Sequence, residues 1–182
     1  MALADGLVTI YGVPAHPLLV HAVVVLLPLS AVCAIAVAVR PRWRQRYGWP
    51  VLALTAAAVG SVPLAQQAGE QLNDRLASLQ NPLIQRHAAL GDELLPYALG
   101  FGVAVVVLMV AGRLADRERA AEPEPTGATV NTTTVTSTIP TTWRRIATLV
   151  SLVVVVTAIG ATVQTVRIGH SGSAAVYDGV GR

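Results

Sequence analysis

Four histidines are the residues of this chain best suited to chemistry: His16, His21, His87 and His170. A neutral imidazole binds haem iron, copper and zinc through a ring nitrogen, and it is the side chain that changes charge nearest physiological pH. His16 and His21 stand in Pro14-Ala15-His16-Pro17-Leu18-Leu19-Val20-His21, at the mouth of an apolar run without charge until Arg40. Five residues on a helix turn through about 140° and rise about 7 Å, so the two rings could not share one face. Pro17 offers a way round this, because proline suits the first turn of a helix and would leave His16 ahead of it, folded over the mouth. His21, set deeper, needs an interior partner, and Glu70 in Gln66-Gln67-Ala68-Gly69-Glu70 is the expected one, with Gly69 permitting close approach. His87 falls on the stripe Leu83, His87, Leu90 and Leu94.

The elements that must carry these residues are membrane spans. Of 182 residues 53% are hydrophobic and 13% charged, against about 25% charged in a soluble domain. Uncharged apolar runs mark four spans, the first of them long enough to cross about 30 Å of hydrocarbon at about 1.5 Å per residue. They lie near 17–39, 49–65, 97–112 and 146–166. The expected fold is an all-α, four-transmembrane-helix bundle. Residues 1–119 hold the first three spans and their helical extensions, 120–142 form a flexible cytoplasmic linker rich in threonine, and 143–182 carry the fourth span and an outer tail. Asn81 is expected to cap the helix that Pro82 opens, and Pro96 to kink the third span.

All 13 basic residues are arginine, a bias that matches a high-GC genome and points to a bacterial cytoplasmic membrane. Nine flank the ends of the first and second spans, or of the third and fourth, on one side; Arg75, Arg86, Arg167 and Arg182 fall on the other. The positive-inside rule then puts both termini, and all four histidines, on the outer side. The net charge of +3 is accounted for by this orientation and does not call for nucleic acid. Cys33 is the only cysteine, so no intramolecular disulfide forms, and the absence of Cys-x-x-Cys-His excludes a covalently attached c-type haem. No P-loop, Gly-x-Ser-x-Gly or His-Glu-x-x-His occurs.

Three readings of the histidines stay open on this basis. One is a haem b or transition-metal site linked to electron transfer, with His16, His21, His87 and His170 as cofactor-binding residues. In that reading His21, His87 and His170 would be the ligands of a metal, and Glu70 would orient them. The second is a proton relay of His21, His87 and Glu70. In the third these groups only hydrogen-bond each other and cap helix ends, and the chain is then a structural or accessory subunit without a cofactor, packing on a larger membrane complex through small residues such as Ala56-Ala57-Ala58 and Gly60.

The Pro14–His21 stretch, the Ala68-Gly69-Glu70 step, His87-Ala88-Ala89-Leu90-Gly91, and the tail from Gly169-His170-Ser171-Gly172 to Val176-Tyr177 together resemble the bacterial membrane family called domain of unknown function 2231. The resemblance spans nearly the whole chain except 120–142. It implies a four-helix membrane domain and, from the company that family keeps with haem and redox modules, a haem or metal site at His16, His21, Glu70, His87 and His170.

Overall fold

The computed structural model describes residues 9–10, 13–76, 81–121 and 142–177. A two-residue pairing, β1 (Thr9–Ile10) with β2 (Val13–Pro14), places Thr9 opposite Pro14 and leads into the first helix. The helices are α1 (Ala15–Val39), α2 (Pro41–Leu76), α3 (Pro82–Asp92), α4 (Leu94–Ala121) and α5 (Thr142–Tyr177). The expected linker (122–141 of it) and the turn before Asn81 (77–80) lie outside the described residues.

Four of these stretches are long and apolar enough to cross a membrane: Ala15–Val39, Pro41–Asp74, Pro82–Ala121 and Thr142–Ala174. Their outward faces are as apolar as their inward ones. Val32 (66% exposed), Leu149 (65%) and Val156 (61%) look away from the protein. In water such a surface would be a severe liability; in hydrocarbon it is the favoured solvent contact. Inside, Leu27, Val62, Phe101, Val105, Leu108 and Val154 interlock with Ala34, Ala58, Ala98, Ala158 and Ala161, all nearly inaccessible. The alanines carry the packing, because without a hydrophobic driving force between helices in lipid, close backbone approach supplies van der Waals contact.

Element boundaries differ from expectation in four places, each for a local reason. Helix α1 starts at Ala15, so Pro17 occupies its first turn and His16 is already helical. Helix α2 starts at Pro41, with only Arg40 between it and α1, so Arg42, Trp43, Arg44 and Arg46 lie on a helix rather than in a loop. The third span breaks at Glu93 rather than at Pro96, which sits harmlessly in the first turn of α4. The expected tail is helix as far as Tyr177: Ser171 and Ser173 bond back to the carbonyls of Ile168 and His170 (both 2.8 Å), and the extension packs against α3. Asn81 caps α3 as expected, its side chain accepting from Leu83 N at 2.9 Å.

The arginine-rich end contains a feature invisible in the sequence. Arg44 is 7% exposed, and its guanidinium lies across Gly112, 3.8 Å from Asp116, which also pairs with Arg119 at 2.6 Å. A Cβ at Gly112 would fall 2.5 Å from the guanidinium carbon, so only glycine leaves room for the arginine to cross. Arg113 and Arg40 stack on Trp49 and Trp43 at 4.7 and 4.5 Å, in the manner of an interfacial belt.

Candidate functional site

At the opposite end, the start of α1, the end of α2, the whole of α3 and the last turns of α5 converge. His16 points inward from the first turn of α1. Its Nδ1–H donates to the Ala65 carbonyl of α2 at 3.1 Å. A carbonyl only accepts, so the proton sits on Nδ1 and the lone pair of the neutral ring sits on Nε2. The ring packs on Gly69, where a Cβ would come within 2.9 Å of Cε1 and 3.1 Å of Nδ1. Gly69 does permit close approach, and what approaches is a histidine ring.

His87, half-buried on α3, repeats the arrangement against α5. Its Nδ1 is 3.0 Å from Ser171 Oγ, and the single hydroxyl proton of Ser171 is donated to the Ile168 carbonyl. The serine therefore accepts and His87 Nδ1 donates, again leaving Nε2 with its lone pair. A Cβ at Gly172 would come within 3.0 Å of His87 Cε1. The two imidazoles meet edge to face, centroids 6.3 Å apart and planes at 76°, a favourable aromatic geometry.

Both rings line a cavity of about 210 Å³. Its walls are largely apolar (Val20, Val23, Val62, Leu94, Ile168), and its polar groups besides the imidazoles include Gln66, Glu70, Asn73, Asp92 and Thr165. Gln66 closes one side by donating to the Gly91 carbonyl at 2.9 Å. Anchored Nδ1–H groups with open Nε2 lone pairs are the disposition of metal-ligating histidines, whose second nitrogen is held by a carbonyl or another acceptor. The same lone pairs could accept a hydrogen bond from a bound hydroxyl compound.

The other expected ligands stand elsewhere. His21 is exposed on the outward face of α1 and donates to the Pro17 carbonyl of its own helix at 2.6 Å; it lines neither the cavity nor a contact with Glu70. His170 is exposed in a separate groove with Arg86 and Arg167. Glu70 is exposed too, at the cavity rim. The expected trio His21, His87 and His170 is thus not assembled, and among the described residues no group of three or more His, Cys, Asp or Glu side chains is placed to hold a metal ion. The partner of His87 is His16. Ser171 and Gly172, which support His87, stand in the tail stretch from Gly169 to Tyr177, whereas Ala65, which supports His16 through its carbonyl, carries no signal in the sequence.

Four membrane-length helices with a histidine-lined opening at one end define an integral membrane helical bundle. The family model described as predicted membrane protein (DUF2231) matches residues 12–181. The chain belongs to that family. No curated protein and no solved structure matches it.

Proposed function

We propose that this protein holds a transition-metal ion between Nε2 of His16 and Nε2 of His87, at the outer end of its bundle in a bacterial cytoplasmic membrane, and serves membrane electron transfer. The observation that carries this reading is the shared anchoring: two rings on different helices, each bonded through Nδ1 to an oxygen of a neighbouring helix, an arrangement that leaves Nε2 of each neutral ring uncommitted. Imidazole suits copper, zinc, iron and nickel, and water or the rim carboxylate of Glu70 would complete the coordination. Copper would give the site a one-electron couple. Of the two cofactors that the sequence leaves open, size favours the ion. Sites for drug-sized ligands run to roughly 300–1,000 Å³, more than the 210 Å³ between these helices, so haem b would have to displace wall residues. The outer placement rests on the nine-to-four arginine bias toward the end that also carries Trp43, Trp49 and Trp143.

Elemental analysis of the protein purified in detergent tests this directly, before and after incubation with cupric or zinc ion and desalting. About one ion per chain is expected, lost in His16→Ala and in His87→Ala and kept in His21→Ala. A Soret band that disappears in the same two variants would replace the ion by haem at the same ligands. A colourless protein that retains no ion after loading would overturn the reading in favour of an accessory subunit. That alternative has one observation of its own: Ala56, Ala57 and Gly60 face outward on α2, and nothing lies within 4 Å of a Cβ built at Gly60. Such a small-residue face suits contact with another transmembrane helix.

A further inference from the structure

The groove that holds His170 is separate from the cavity, joined to it through Ser171, which lines the groove and anchors His87. Its volume is about 290 Å³, and it runs between α3 and α5, lined by Leu83, Arg86, Leu90, Arg167, His170, Ser171 and Ala174. Arg86, Arg167 and His170, all exposed, line it from two helices. We propose that this groove binds a phosphate-bearing anion, held by Arg86, Arg167 and His170.

Charge gives the first reason. Like charges gathered in one groove repel unless an anion joins them, and the two ion pairs among the described residues, Arg44–Asp116 and Arg119–Asp116, are at the far end of the bundle. The carboxylate of Glu93 accepts from Gln164 Nε2 at 3.1 Å. Positioning gives the second. Gln164 is 2% exposed, and its Oε1 accepts from Arg167 Nη1 at 3.3 Å while its Nε2 reaches Glu93 and the Leu90 carbonyl. A buried amide thus aims the guanidinium without neutralising it. Arginine's planar fork suits the bidentate recognition of phosphate oxygens. Location gives the third. The end of the bundle with the fewest arginines concentrates Arg86 and Arg167 in a single groove instead of spreading them along the interface. Leu83, Leu90 and Ala174 wall the groove with hydrocarbon, so the phosphate could be free or could be the headgroup of a phospholipid whose chains follow those walls.

The test uses the full chain in detergent and in nanodiscs. Calorimetry with inorganic phosphate reads a free anion; lipid retained through purification from nanodiscs of phosphatidylcholine with and without phosphatidylglycerol reads a headgroup. Arg86→Gln and Arg167→Gln are each expected to weaken binding at least about tenfold, the loss of one charge-assisted contact. His170→Ala, at an exposed position where folding is not at stake, should weaken it several-fold. Arg117→Gln at the other end should leave it unchanged. Saturable binding of inorganic phosphate with these losses identifies a soluble anion. Selective retention of phosphatidylglycerol with the same losses identifies a lipid. The proposal is overturned if the unaltered protein binds neither probe, or if His170→Ala and both arginine variants bind as well as Arg117→Gln does.

Discussion

Replacing Gly69 by alanine separates two opposing effects, and Gly60 on the same helix supplies the reference. Alanine is favoured over glycine in a helix interior by about 0.8–1.0 kcal/mol. Nothing lies within 4 Å of a Cβ at Gly60, so Gly60→Ala should stabilise by up to about 1 kcal/mol. At Gly69 the added methyl would meet Cε1 and Nδ1 of His16 at 2.9 and 3.1 Å. The ring is no loose end that can swing aside, since Nδ1–H is bonded to Ala65 O. Moving it forfeits that hydrogen bond, about 0.5–1.5 kcal/mol, and overpacks the contact, about 1–3 kcal/mol. Offsetting roughly 1 kcal/mol of helix propensity leaves Gly69→Ala destabilised by about 0.5–3.5 kcal/mol. Reversible unfolding in mixed micelles, followed by circular dichroism, gives both values. His16→Ala in the Gly69→Ala background should return stability toward Gly60→Ala, a coupling of at least about 1 kcal/mol. If Gly69→Ala and Gly60→Ala agree within about 0.5 kcal/mol, the ring does not rest on Gly69 and the account of the site fails with it.

Other outcomes follow from the same geometry. Ser171→Ala removes the acceptor of His87 Nδ1–H and should lower metal affinity about 10–100-fold while leaving stoichiometry intact, as read by competition with a chromogenic chelator. Because the ion competes with a proton at each Nε2, acid should weaken binding; an ion retained undiminished in strong acid would exclude histidine ligation. Gly112→Ala drives a methyl into the Arg44 guanidinium and should cost about 1–3 kcal/mol by overpacking. Asp116→Leu, which leaves that buried cation without its carboxylate, should destabilise more than the double replacement Arg44→Met with Asp116→Leu; the two unfolding midpoints decide it.

The spans were legible because hydrocarbon imposes a length and a composition that a short run cannot imitate. The Asn81 cap was legible because capping is local; the Leu83–Leu94 stripe was not, because the helix breaks at Glu93 and Leu83 and Leu90 border the groove while His87 and Leu94 border the cavity. Nor was the pairing of rings. The angular arithmetic for His16 and His21 was sound, and applied to a helix that begins at Ala15 it turns His16 into the bundle and His21 out of it. Pro17, which invited His16 to be placed ahead of the helix, lies within the first turn instead. The supports of the rings are glycines, a carbonyl and a serine on other helices, and matching them needs the relative depth of each helix. Hydropathy locates a span only to within a turn, and that is as far as a ring reaches. The buried Arg44 was obscured for a similar reason. Beside Arg40, Arg42 and Arg46 it looked like one more interfacial cation, and only the facing Gly112 distinguishes it.

Helix α3 presents successive residues to different surroundings: Arg86 borders the groove against α5, and His87 borders the cavity against α1 and α2. It is eleven residues long, between the Asn81 cap and the break at Glu93, short enough to respond as one piece. Any occupant that draws one flank closer must alter the spacing on the other. Two ligands with no atom in common would then sense each other, each changing the other's affinity by the same factor. A fragment of three turns would serve as the balance beam between a compound arriving at the membrane surface and an ion sunk beneath it.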